Sequence, residues 1–307
     1  MKTVAIVGVG LIGGSFALAL RKAGFQGRIL GVSSPATVQK ALSRGVIDEA
    51  LPLAEAAAAA DLVYLAQPIS RILTTLDVLE TDALVTDAGS TKAVICERAR
   101  KVKRFVGGHP MAGKESRGVE QADADLFRGR PYVLTSREPE LEVWIERFGA
   151  RLVILDPVQH DQQVAFVSHL PQLLSSTLAS VLAGKEQVAG PAAADLTRLA
   201  LSPYDIWRDI IATNAEPIDA ALSVFIARLE ELATSIKGGV TQVINAELRV
   251  SRARVRVRPE GTAILARGGI AAQGTSETGK GESIGHHMLV GGLVKRVGWH
   301  EVAQGRT

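Results

Sequence analysis

The sequence predicts a parallel α/β sheet covered by helices on both faces, followed by an all-helical domain and a Gly/Arg-rich tail. Three observations carry this reading. Strand-like and helix-like runs alternate through the first half, the alternation stops at Asp156-Pro157, and sustained periodicity ends near Gly238. Short, almost continuously apolar strands separated by helical stretches are the mark of a sheet buried on both sides. The expected boundaries are 1–156 for the sheet domain, 157–237 for the helical domain and 238–307 for a poorly ordered tail. A chain of 307 residues at 47% hydrophobic content can hold two cores.

The β-favouring runs are Thr3–Val7, Arg28–Val32, Asp61–Gln67, Ala83–Asp87, Arg104–Gly107, Pro131–Thr135 and Arg151–Leu155. Helix-favouring stretches lie between them at Leu11–Ala23, Ala36–Arg44, Ser70–Leu79 and Lys92–Val102. In the second half, helices are expected between breaks at Gly184, Gly190-Pro191, Ser202-Pro203 and Glu216-Pro217. In the first of these, Val164, Val167, Leu170, Leu174, Leu178 and Val181 make an apolar stripe at helical period. Ser202-Pro203 has the form of a cap with proline at the first helical position, opening Tyr204–Ala212. The last helix, Ile218–Ile236, carries Leu222, Phe225, Ile226, Leu229 and Leu232. A helical unit this thin predicts a homodimer. In the tail, Arg252–Arg258 alternates like a strand, with no evident pairing partner.

Charge and cysteine usage narrow the function classes. Residues 248–307 carry eight Arg and two Lys against four Glu, a net of +6, so the rest of a +3 chain is acidic by 3. The basic pI therefore belongs to the tail, and without interleaved aromatics it argues weakly for nucleic acid. A single cysteine, Cys96, excludes an internal disulfide and suits a reducing, cytoplasmic setting. The apolar N-terminus imitates a secretion signal, but its four glycines and alternating start argue against one. No later stretch reads as a bilayer span.

Gly8-Val9-Gly10-Leu11-Ile12-Gly13 matches G-x-G-x-x-G directly after a strand and opening a helix. In that context Gly8 makes a tight turn, Gly10 lets the backbone approach a pyrophosphate, and Gly13 permits close helix–strand packing. The helix N-terminus, at Leu11 and Ile12, faces the phosphates. The motif predicts a Rossmann-type dinucleotide site. An NAD site of this type ends its second strand with an acid that grips the ribose. Here that place reads Gly31-Val32-Ser33-Ser34-Pro35, with no acid before Asp48. Ser33, Ser34 and Thr37 can donate to a 2′-phosphate without repelling it, which favours NADP over NAD.

Four residues stand out as chemistry. Ser90, in Asp87-Ala88-Gly89-Ser90-Thr91-Lys92, is either a helix cap or a substrate-orienting hydroxyl. His109, in Gly107-Gly108-His109-Pro110-Met111-Ala112-Gly113, is either a turn residue or an active-site group at the end of the next strand, where such sheets place ligands. His169 lies off the apolar stripe, on a face with Ala165, Gln172 and Ser176, beside a kink expected at Pro171, and is either a pocket-wall residue or a solvated histidine on a bent helix. Arg208 is either salt-bridged to Asp205 or Asp209, or a fork for a substrate carboxylate.

These stretches, with Ser168-His169-Leu170-Pro171 and Trp207-Arg208-Asp209, occur in an order that resembles the prephenate/arogenate dehydrogenase family over about residues 1–236. The resemblance implies a Rossmann-type domain, a helical domain that builds the dimer, and oxidative decarboxylation of a cyclohexadienol. It implies His109 as proton acceptor, Ser90 on the same hydroxyl, Arg208 on the ring carboxylate and His169 on the substrate. It also implies Glu115 at the pocket mouth, paired with Arg208 when the site is empty. Prephenate is favoured over arogenate on the same resemblance. The Gly/Arg-rich tail departs from the helical ending of the family. A β-hydroxyacid dehydrogenase is disfavoured because its lysine and asparagine are missing from the long helix. A dinucleotide-sensing binding protein would need none of these side chains together.

Overall fold

The computed structural model describes residues 1–114, 116–237, 255–257 and 263–265. Six parallel strands form the main sheet: β1 (Thr3–Val7), β2 (Arg28–Val32), β3 (Glu49–Ala50), β4 (Leu62–Leu65), β5 (Leu84–Asp87) and β6 (Phe105–Val106), in the order β3-β2-β1-β4-β5-β6. Crossovers run through α1 (Leu11–Lys22), α2 (Pro35–Ser43), α3 (Leu53–Ala59), α4 (Ile69–Val78) and α5 (Ala93–Arg98). The period of two is visible in the cores. Val4 and Ile6 join Phe16, Leu20 and Tyr64 on one face, while Ala5 and Val7 join Leu30, Leu65 and Ile72 on the other. Each fully buried Val, Leu or Ile contributes about 1.5–3 kcal/mol.

The expectation of one sheet needs correcting at its end. The run at Arg104–Gly107 splits, and β7 (Gly108–Pro110), β8 (Pro131–Leu134) and β9 (Arg151–Ile154) make a separate three-stranded sheet. In it β7 and β8 are antiparallel and β8 and β9 parallel, the latter joined through α6 (Pro139–Arg147). The backbone changes sheets at Gly107, whose neighbour Gly108 donates to Asp87 Oδ1 at 3.0 Å rather than extending the ladder. Tyr132 on β8 donates to Tyr64 on β4 at 3.3 Å, and Tyr64 stacks on Phe16 at 3.9 Å, so the small sheet is keyed into the main core.

The helical half begins with α7 (Pro157–Val164), capped by Asp156, which accepts the amides of Val158 and Gln159 at 3.0 and 3.1 Å. It continues through a π-helical turn, Ala165–His169, into α8 (Leu170–Leu182). Pro171 has no N–H for the Val167 carbonyl, and its ring crowds the preceding turn. The helix widens there instead of breaking. This continuous Pro157–Leu182 helix is long and apolar enough to cross a bilayer, at a mean hydropathy of 1.2, contrary to the sequence reading. His160, Asp161, His169, Gln172 and Ser175 on it are nonetheless buried inside the protein. α9 (Pro191–Thr197), α10 (Tyr204–Thr213) and α11 (Ala215–Lys237) follow. The last break falls at Asn214 rather than at Glu216-Pro217, with a 92° bend between α10 and α11. Pro203 itself occupies the cap position of α10, with no side-chain cap from Ser202.

The apolar stripe of α7–α8 is only partly buried, with Val164 and Leu170 inside the core. Val167 and Val181 of the apolar stripe are 58% and 60% exposed, whereas His169, Ala165 and Gln172 are buried. His169 meets Asn214 and Gln172 meets the Leu199 carbonyl, so the helix buries parts of both faces. In the tail, β10 (Val255–Val257) pairs antiparallel with β11 (Ala263–Leu265), so the described part of the alternating run, residues 255–257, has a strand partner. The rest of the tail, and with it the expectation of poor order, lies outside the described residues, as does Glu115.

Candidate active site

The glycine turn has the shape its chemistry requires. Gly8 adopts φ +96°, and a Cβ there would meet the Ala66 carbonyl oxygen at 2.5 Å. A Cβ on Gly13 would fall 2.1 Å from the Gly8 oxygen. A Cβ on Gly10 meets nothing within 4 Å, so the backbone is bare on the side from which a pyrophosphate approaches. Gly10 is the N-cap of α1, with no side-chain cap, which leaves the first-turn amides of Leu11 and Ile12 available to an anion. The residues fit a dinucleotide. At the end of β2, Ser34 and Thr37 bond each other at 2.9 Å, and Ser33 and Ser34 are exposed. Asp48 is engaged elsewhere: it accepts the Ile29 amide at 2.7 Å and pairs with Arg21.

At the carboxyl end of β5 a buried polar cluster forms. Lys92, fully buried, pairs with Asp87 and donates to the Gly108 carbonyl at 2.7 Å. Asp87 also accepts the Gly89 amide at 2.7 Å. Asp87 at the end of β5 is thereby fixed to Gly108 at the start of β7, the strand that carries His109.

His109 is 7% exposed, and its Nδ1 lies 2.8 Å from His160 Nε2 on α7. His160 Nδ1 in turn lies 2.7 Å from Asp161 Oδ1. The Asp161 carboxylate also accepts the amides of Lys92 and Ala93, at 2.7 and 2.8 Å. Asp161, not Ser90, therefore caps α5, and the Ser90 hydroxyl makes no cap bond. Burial, then His160, Lys92 and His169, hold the His109 imidazolium well below the ordinary histidine range.

His169 sits in the same cluster, 1% exposed, edge-on to Trp207. Its Nδ1 meets Asn214 Nδ2 at 3.0 Å, while the same amide nitrogen donates to the Asp161 carbonyl at 2.9 Å. Among the described residues its Nε2 has no partner, a condition that costs about 1–3 kcal/mol when buried. Burial lowers its pKa to about 4. The solvated histidine that helical periodicity allows is thus excluded.

Arg208 takes the salt-bridge option. Its Nε and Nη2 bond Asp209 Oδ1 at 3.1 and 2.9 Å, and the side chain is 54% exposed. Asp209 meanwhile accepts the Ser70 amide at the start of α4 at 3.0 Å. Together with a Thr91–Thr213 contact at 2.9 Å, this ties the helical half to the sheet half around the histidines. Sequence reasoning missed His160, Asp161 and Asn214. The adjacent His-Asp pair just after a capped helix start was a usable signal; Asn214 had none.

A glycine turn shaped for pyrophosphate, with a buried histidine cluster at the strand ends beside it, defines a dinucleotide-dependent oxidoreductase. Two family models match, the nucleotide-binding domain of prephenate dehydrogenase over residues 16–153 and its dimerization domain over 156–249. A prephenate dehydrogenase of Lactococcus lactis is 37% identical over 261 residues, covering 80% of this chain and 74% of that one. The prephenate dehydrogenase of Aquifex aeolicus, solved with hydroxyphenyl propionate and NAD+, superposes with a TM-score of 0.74 at 31% identity, covering 83% of this chain and 97% of that one. An arogenate dehydrogenase of Synechocystis gives 0.69 at 29% identity, covering 82% and 98%. The chain belongs to the prephenate dehydrogenase family.

Proposed function

We propose that this chain, as a cytoplasmic homodimer divided near Asp156 into its two domains, oxidises prephenate to 4-hydroxyphenylpyruvate and CO2 with NADP+ as acceptor. The observation that carries the reading is a neutral, buried His109 at a strand end beside a dinucleotide turn. Gly8, Gly10, Leu11, Ile12 and Gly13 would hold the pyrophosphate, and Ser33, Ser34 and Thr37 the adenosine ribose and its 2′-phosphate. The bound nicotinamide supplies the hydride acceptor.

His109 Nε2 accepts the C4 hydroxyl proton as the C–H bond breaks, with Ser90 orienting that hydroxyl. Loss of CO2 from C1 sends an electron pair through the ring to the C4 oxygen, which recovers the proton from His109 as a phenol. No net proton is released. Arg208 receives the substrate carboxylate by exchanging it for Asp209, and Glu115 is assigned to the pocket mouth on family resemblance. The outward apolar residues of the helical half, including Leu196, Leu201, Ile226 and Leu229, support pairing with a second copy.

The likeness to the Synechocystis enzyme favours arogenate as a second substrate reading. The Aquifex relative was solved with NAD+, so both choices are tested together. Purified protein is assayed with each of the two substrates and each of the two cofactors. Turnover with prephenate and NADP+, lost in His109→Asn, supports the reading; turnover only with arogenate or NAD+ corrects it, and none with any pairing overturns it.

A further inference from the structure

We propose that Asp161 and Asn214 hold the two buried histidines in opposite tautomers, so that His109 presents a bare Nε2 as proton acceptor and His169 presents an Nε2–H as donor to a substrate oxygen. The substrate part of this inference rests on the activity proposed above; the tautomers rest on hydrogen-bond geometry alone.

Two chains of donors lead to it. A carboxylate only accepts, so His160 carries its proton on Nδ1, facing Asp161 Oδ1 at 2.7 Å. Its Nε2 then holds a lone pair, and at 2.8 Å it accepts the Nδ1–H of His109. The His109 proton is thereby fixed on Nδ1, and Nε2 is left bare. The second chain starts at the carbonyl of the same Asp161. A carbonyl also only accepts, so Asn214 turns its nitrogen toward it, at 2.9 Å. The other amide hydrogen goes to His169 Nδ1 at 3.0 Å, which must supply a lone pair. The His169 proton is forced onto Nε2, the buried atom without a partner among the described residues.

Asp161 is thus the common root. Its carboxylate sets one ring and its backbone oxygen the other, while two amides of α5 hold the carboxylate itself. His160, Asp161 and Asn214 act as positioning residues, and the two histidines are not interchangeable. An oxygen of the substrate that only accepts, such as a carboxylate or keto oxygen, is matched to His169. The reacting hydroxyl, which must lose its proton, is matched to His109.

The test is 15N NMR of histidine-labelled full-length protein at neutral pH, where protonated and bare ring nitrogens resonate far apart. His109→Asn and His169→Asn assign the two rings. The expected result is a bare Nε2 on His109 and a protonated Nε2 on His169; the same tautomer in both, or a charged His169, overturns the proposal. Kinetics give the second arm. Asn214→Asp replaces a donor by an acceptor, forces the His169 proton onto Nδ1, and is expected to raise KM roughly three- to tenfold with little change in kcat. An unchanged KM with an unchanged His169 signal overturns it. Should Asn214→Asp not fold, the wild-type spectrum decides. Inactivity toward every substrate would sink the activity proposed above and leave the spectrum to judge the tautomers.

Discussion

Asp161 accepts the backbone amide of Lys92 at 2.7 Å, so a carboxylate of the helical half caps a helix of the sheet half. The cap lies between the two strongest polar features of the site. On one side is the buried Lys92–Asp87 pair, on the other the His160–His109 contact. Docking the halves and orienting His109 are therefore coupled through one carboxylate, and changes on either side are expected to reach the proposed chemistry.

His160→Leu should lower kcat by roughly 10- to 100-fold, because His109 Nδ1–H loses its acceptor at a cost of about 1–3 kcal/mol. His160→Gln places an acceptor near the lost Nε2 and should restore most of the rate. Equal defects in both variants, measured under saturating substrate, would show that shape alone matters there.

Lys92→Met should destabilise the fold by about 3–5 kcal/mol, since it strands Asp87 as an unpaired buried charge. Lys92 and Asp87 side chains are both fully buried, which removes solvent as a substitute. Urea denaturation gives the value. A double change, Lys92→Met with Asp87→Leu, should recover part of the loss.

Stability should fall as pH drops from about 6.5 toward 4. His169 has a folded pKa of about 4, lowered by burial from 6.5, and His109 is shifted the same way. In this window the unfolded chain binds more protons, so unfolding gains with acid. The stabilisation is whole above pH 6.5, and the His169 share is about 3 kcal/mol. The melting temperature of wild type and His169→Asn across this range checks it; the variant should show the shallower slope.

The glycine turn should separate folding from binding. Gly13→Ala would set a Cβ 2.1 Å from the Gly8 oxygen and should cost stability as well as dinucleotide affinity. Gly10→Ala meets only open space, so its melting temperature should stay near wild type while KM for the dinucleotide rises. Equal losses of stability in both would contradict this division.

What the sequence determined by itself is local. Alternating and helical periodicity set the βα order, and the need for bare backbone set the glycine turn at Gly8–Gly13. His109 was legible as a candidate, one of two readings of a histidine among glycines at a strand end, and the order of the motifs carried the family. Tertiary structure decided what depends on partners far along the chain. His109 meets His160 across 51 residues, Lys92 meets Asp161 across 69, and His169 meets Asn214 across 45. It also decided that His169 and Gln172 of α8's polar side are buried along with Val164 and Leu170, and that Ser90 gives up the cap to Asp161. Periodicity records which side chains share a face; only the packed chain supplies the donors and acceptors that let polar side chains be buried beside apolar ones.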